Sequence, residues 1–128
     1  MGIGRIWISF CLDEASYIII TLDSNNVAYI AYRDFWYYNF NRATVRKFNG
    51  TSWVTVGSSE FSQGEVLYIS LVFDSNNRTY VRYGDTANSF KSTVKKYDGT
   101  SWMNVGSVGF STETVSNSYV AIVTNNVP

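Results

Sequence analysis

Histidine is absent from this 128-residue chain, which removes the commonest general base, the commonest zinc ligand and the usual near-neutral pH switch together. That absence counts against most enzymes. Cys11 is the only cysteine, so one chain can build neither an internal disulfide nor a thiolate metal cluster. Net charge is missing too. Ten basic residues balance ten acidic ones, so no overall field draws the chain to nucleic acid or to an anionic membrane. Long apolar runs are also lacking: the longest, Tyr17 to Leu22, falls far short of the roughly 20 residues that span a bilayer. At the start, Asp13 and Glu14 interrupt too short an apolar region for a signal peptide.

What the chain has in quantity is aromatic residues. Ten Tyr, eight Phe and four Trp make up 17% of it, and Thr, Val and Ser are plentiful beside them. This mix favours pleated sheet over helix and sets the expected class as all-β. The length suits one domain, residues 1–128, able to bury roughly two-thirds of its unfolded surface.

The chain repeats itself. RKFNGTSWVTVGSSEFS from Arg46 returns as KKYDGTSWMNVGSVGFS from Lys95, an offset of 49 residues. YIIITLDSNNVAYIAYRD from Tyr17 returns as YISLVFDSNNRTYVRYGD from Tyr68, an offset of 51. The two-residue difference lies between these blocks, where the eight residues Phe35 to Arg42 correspond to the six residues Thr86 to Lys91. A length change of this kind belongs in a loop. The units therefore run over about 10–60 and 61–109, with a partial third unit over 110–128 and a worn remnant strand within 3–9.

Each unit reads as four short strands, in the first copy Tyr17 to Asp23, Val27 to Arg33, Ala43 to Phe48 and Trp53 to Gly57. The turn DSNN joins the first two, since Asn tolerates the positive φ of a tight hairpin. NGTS or DGTS joins the last two through an Asn-Gly or Asp-Gly pair. Apolar residues run almost unbroken through the first strand, which predicts burial on both faces. In the third they alternate with basic residues, which predicts one face in water. Such a gradient from apolar inside to polar outside is the one a propeller blade requires.

Four antiparallel strands in a fifty-residue period, with a Tyr or Phe, then Asp or Asn, Gly and a nearby Trp in each unit, resemble β-propeller blades of the kelch or sialidase-like type. Essentially the whole chain takes part. DGTSW from Asp98 is similar to the Asp-box turn of sialidase-type propellers, though its Gly99 to Trp102 spacing departs from that pattern and no upstream Ser is present. The double glycine of kelch repeats is missing as well, so the resemblance is to the superfold and assigns no single family. It implies tandem four-stranded antiparallel blades, two complete and partial at both ends. Two blades cannot close a ring. The ring is therefore expected to be completed by oligomerisation, with two or three copies sharing one propeller.

Candidate binding residues lie on the loop joining strands two and three. Trp36, Tyr37 and Tyr38 offer flat apolar rings that can stack on sugars, while Arg33, Asp34 and Asn39 can bind hydroxyls. The plainer alternative is that these rings pack against a neighbouring blade or subunit. Trp53 and Trp102 recur at one position and read as packing residues. Asp23 and Asp74 open the DSNN turns and read as turn caps, since so short a turn cannot fill a calcium shell. Glu14 and Glu65 also recur and read as turn or cap residues. Asn49-Gly-Thr and Asn77-Arg-Thr fit the glycosylation pattern in exposed turns. Cys11 aligns with Ser62, which marks the position as one for a small side chain.

No catalytic residue, metal ligand or cofactor is expected. The chain reads as a non-enzymatic binding module, for carbohydrate or a surface partner, acting through its aromatic loop face. The alternative is a structural or protein-interaction subunit of a larger homo-oligomeric or extracellular assembly. An extracellular or cell-surface setting is the preferred one, and the compartment is left open.

Overall fold

The computed structural model of the chain describes residues 14–35 and 41–111, and of residues 14–17, 34 and 35 the backbone only. Eight strands lie within them, in two separate antiparallel sheets of four. The first holds β1 (Glu14–Leu22), β2 (Ala28–Phe35), β3 (Arg42–Phe48) and β4 (Trp53–Thr55). The second holds β5 (Val66–Phe73), β6 (Thr79–Asp85), β7 (Lys91–Tyr97) and β8 (Trp102–Asn104). In both sheets the strands follow sequence order, so each is a simple meander of hairpins. The fold is all-β, and among the described residues the sheets remain open, without closure into a ring. The partial third unit beyond Ser111, the remnant strand within 3–9 and Cys11 lie outside the described residues.

The sequence offsets are also structural offsets. Leu22 pairs with Ala28 as Phe73 pairs with Thr79, and Lys47 pairs with Val54 as Lys96 pairs with Met103. A β-bulge even falls at the same place, between Ser16 and Ile19 in one sheet and between Leu67 and Ser70 in the other. In the second sheet the bulge puts Tyr68 at φ 53°, a strained conformation for a bulky residue. Arg82, otherwise buried, donates from Nη1 to the Tyr68 carbonyl at 2.9 Å and from Nε and Nη2 to Ser92 Oγ.

The turns follow their sequence. Asp23 Oδ1 accepts from the N–H groups of Asn25 and Val27, and Asp74 Oδ1 does the same for Asn76 and Arg78. This is the turn-capping role expected of both aspartates. Asn26 and Asn77 take φ 64° and 62°, the left-handed conformation that Asn tolerates. In the outer hairpins Gly50 and Gly99 sit near φ 100°, while Asn49 and Asp98 cap the turns through Oδ1.

The core lies between the sheets. Tyr29, Ala31, Ala43, Val45 and Val56 of the first meet Val66, Ile69, Leu71, Val81 and Tyr83 of the second in one buried cluster. Burial raises the Tyr83 phenol far above its ordinary range, and the charge of Asp85 adds to the effect.

Burial of the first strand on both faces holds only for the second unit. In β5, Ile69 and Leu71 on one face and Ser70 on the other are buried, whereas in β1 Ile18, Ile20 and Leu22 are 42%, 45% and 52% exposed. The cause is position. The second sheet covers one face of the first, and the opposite face of β1 has no such neighbour among the described residues. The third strand is also less simply two-faced than its alternation suggests. Ala43, Thr44 and Val45 are buried in succession, and only the outer end of β3 opens to water.

Candidate functional site

Two regions hold side chains arranged for recognition: the root of the β2–β3 loop and the seam between the sheets. The loop root carries what the structure describes of the sequence candidates. Arg33, near the end of β2, is partly buried and donates from Nη1 to Glu65 Oε2 at 2.9 Å. Glu65 stands just before β5, so this ion pair ties one unit to the next. Asn41 Nδ2 reaches the same carboxylate oxygen at 3.4 Å. Next to it in sequence, the Nε of Arg42 is buried without a hydrogen-bond partner. Trp36, Tyr37, Tyr38 and Asn39 lie outside the described residues, as does the side chain of Asp34. Thus only Arg33 of the six candidates has a described side chain, and it is engaged within the protein.

Glu65 is more than a turn residue. Its side chain pairs with Arg33, and its carbonyl accepts from both N–H and Oγ1 of Thr86. It joins the first unit to the start of the second and to the β6–β7 loop. Ser62, the counterpart of Cys11, is buried, with Oγ accepting from Ala43 N–H and donating to the Gly64 carbonyl. A small polar side chain is therefore built into the link between units.

The seam is held by aromatic residues. Trp102, at the start of β8, stacks on Phe61 at 4.4 Å between centroids and 18° between planes. Its indole Nε1 donates to the Val56 carbonyl at 2.9 Å. Gly57 is required beside it, because a Cβ there would lie 2.8 Å from the indole nitrogen. Nearer the inner strands, Tyr29 meets Phe73 at 4.6 Å, and at the hairpin end Ser24 N–H and Oγ both donate to Asn77 Oδ1. Recurrence marked Trp102 as a packing residue. What recurrence alone did not reveal is that the contact crosses from one unit to the other.

The hairpin end of the first sheet also bears an open groove of about 620 Å³, lined by Asp23, Asn26, Tyr29, Lys47 and Asn49 among others. Burial raises the Tyr29 phenol, as does nearby Asp23, against a hydrogen bond with Thr79. Among the described residues no three His, Cys, Asp or Glu side chains gather as a metal site. Comparison with known proteins finds no matching family model, no matching curated protein and no matching solved structure.

Proposed function

We propose that this chain is a non-enzymatic interaction module, a pair of propeller-type blades that joins a larger assembly by sheet-on-sheet docking. The observation that carries this reading is the exposed row Ile18, Ile20 and Leu22 on β1. Three neighbouring aliphatic side chains left open on a sheet face are the mark of a contact surface. At the other end of the pair Met103 and Phe110 are open in the same way, 46% and 54% exposed. Copies of the chain meet through these ends. The structural-subunit role thereby takes precedence over carbohydrate recognition by the loop at 35–40, for which the chemistry of Trp36, Tyr37 and Tyr38 is the support.

Absolute mass by light scattering, measured across a concentration series, tests the reading. Reversible association is expected for the natural chain and its loss in Ile20→Glu, with the β spectrum unchanged. A monomer at every concentration, indifferent to Ile20→Glu, would overturn assembly from copies. Quenching of tryptophan fluorescence by simple sugars, abolished by Trp36→Ala, would restore the carbohydrate reading to first place.

A further inference from the structure

The two outer hairpins are one turn built from different residues. At the repeat offset Asn49, Gly50, Thr51 and Ser52 become Asp98, Gly99, Thr100 and Ser101. The N–H of the first residue donates to the carbonyl of the fourth in both, at 3.0 Å to Ser52 and 3.1 Å to Ser101. Oδ1 of Asn49 accepts from the N–H groups of Thr51 and Ser52 at 2.9 Å, and Oδ1 of Asp98 from those of Thr100 and Ser101 at 2.8 Å. An amide and a carboxylate thus fill one place with one set of bonds, because only the shared oxygen does the capping.

Asn49 is exposed, and it is the only asparagine of the chain that precedes a glycine. Gly50 has no side chain to shield its nitrogen, and the space where a Cβ would lie is open to 4 Å. Among the described residues neither the Gly50 N–H nor Asn49 Nδ2 has a hydrogen-bond partner. Oδ1, by contrast, has a third donor in Thr51 Oγ1 at 3.2 Å. Donors fixed on a carbonyl oxygen also stabilise the charge that builds there when a nucleophile adds to the carbon.

We infer that Asn49 is a self-modifying residue, converted to aspartate in the folded protein by the backbone nitrogen of Gly50 and water. The Gly50 nitrogen loses its proton and bonds to Asn49 Cγ. The Cγ–Nδ2 bond breaks and that nitrogen departs as ammonia, leaving a five-membered imide. Water then adds to Cγ, the bond from Cγ to the Gly50 nitrogen breaks, and the ring opens to aspartate. This product has its pattern in the same molecule. The N–H groups of Ser101 and Thr100, with Lys96 nearby, hold the Asp98 carboxyl below its usual range, and Lys47 stands at the position of Lys96. Opening at the backbone carbonyl instead would run the chain through Cβ, a longer path for which the second hairpin offers no counterpart. Conversion adds one negative charge to a chain whose charges balance, and places a second carboxylate with Asp23 on the groove that Lys47 also lines. It also removes the Asn49-Gly-Thr glycosylation acceptor.

Holding the full, folded chain in mildly alkaline buffer and following it by anion exchange and peptide mass spectrometry tests this. A growing species one charge more acidic is expected, with the mass change of NH2 replaced by OH located at residue 49. Part of that species coincides with the variant Asn49→Asp, which should unfold in urea at the midpoint of the natural chain. Asn49→Gln, whose ring closure needs one more atom, should yield none of it. Conversion of the folded chain should be at least as fast as that of the chain unfolded in urea. An acidic species that forms only in urea, that lies at another residue or that contains no aspartate would overturn the inference, as would a lowered midpoint for Asn49→Asp.

Discussion

Ile20 and Leu71 hold one position in two copies of the same sheet, yet Ile20 is 45% exposed and Leu71 only 4%. Strand, register and side-chain class are shared, so none of them accounts for the difference. What differs is the neighbour. The second unit rests on the first and covers Leu71, whereas the row of Ile18, Ile20 and Leu22 along β1 stays half-exposed. Burial in a tandem fold is a property of position in the array as much as of sequence, as expected when each unit contacts only those adjacent to it.

The largest test of this contrast is truncation at the paired positions. Leu71→Ala should cost about 2–5 kcal/mol, the range for emptying a packed aliphatic site. Ile20→Ala should cost less than about 1 kcal/mol, as for a half-exposed residue outside a packed core. Urea unfolding of both variants at low protein concentration measures the difference. Equal costs would show that the face of β1 is covered as fully as that of β5.

A smaller difference separates the tryptophans. Trp102→Phe keeps a ring for Phe61 but leaves the Val56 carbonyl without its donor, a loss of about 1 kcal/mol. Trp53→Phe should fall within about 0.5 kcal/mol of the natural chain. Thermal melts of the two variants side by side would reveal whether the indole N–H matters only at the seam.

The smallest effect concerns the hairpin turns. Asp74 is joined by Arg78 Nε at 2.7 Å, whereas the first unit has Val27 at the position of Arg78. The Arg78 side chain is 49% exposed, so Arg78→Val should cost at most about 1 kcal/mol and less at high salt. Burial acts to raise the Asp74 carboxyl, but the backbone N–H groups of Arg78 and Asn76 and the Arg78 guanidinium outweigh it and hold it below the usual range. A carboxylate lowered on folding stabilises the protein fully above its unfolded value, near 3.8, and loses that contribution as pH falls through the folded one. The gap between the natural chain and Asp74→Asn should therefore be widest at neutral pH and close in acid below about pH 4. A gap that widened in acid would contradict the assigned hydrogen bonds.

Much of this architecture was legible in the sequence because repetition tested each reading twice. DSNN and the Asx-Gly turns placed the hairpins, and the offsets of 51 and 49 carried over into the strand ladders. Strand ends moved by only a few residues, β1 beginning at Glu14 instead of Tyr17. The exposed face of β1 was not legible, since an unbroken apolar run looks the same whether or not a neighbour covers it. Nor was the role of Arg82. It stands where the first unit has Ala31, and only the bulge at Tyr68 gives a buried guanidinium a carbonyl to hold. At the loop root, Glu65 was visible as a repeated acid, but its partner Arg33 corresponds to Gly84 in the second unit, so the ion pair has no second copy to betray it.

The two-residue difference between the copies has a practical meaning for anyone altering this protein. Despite it, β3 and β7 rejoin their sheets in the same register, Thr44 opposite Tyr32 and Thr93 opposite Tyr83. The length of the span between β2 and β3 therefore does not set the register of the strands on either side of it. Among the connections of the first unit, this span is the natural place to graft an epitope or a tag, with the strands on either side holding the ends of the insert together.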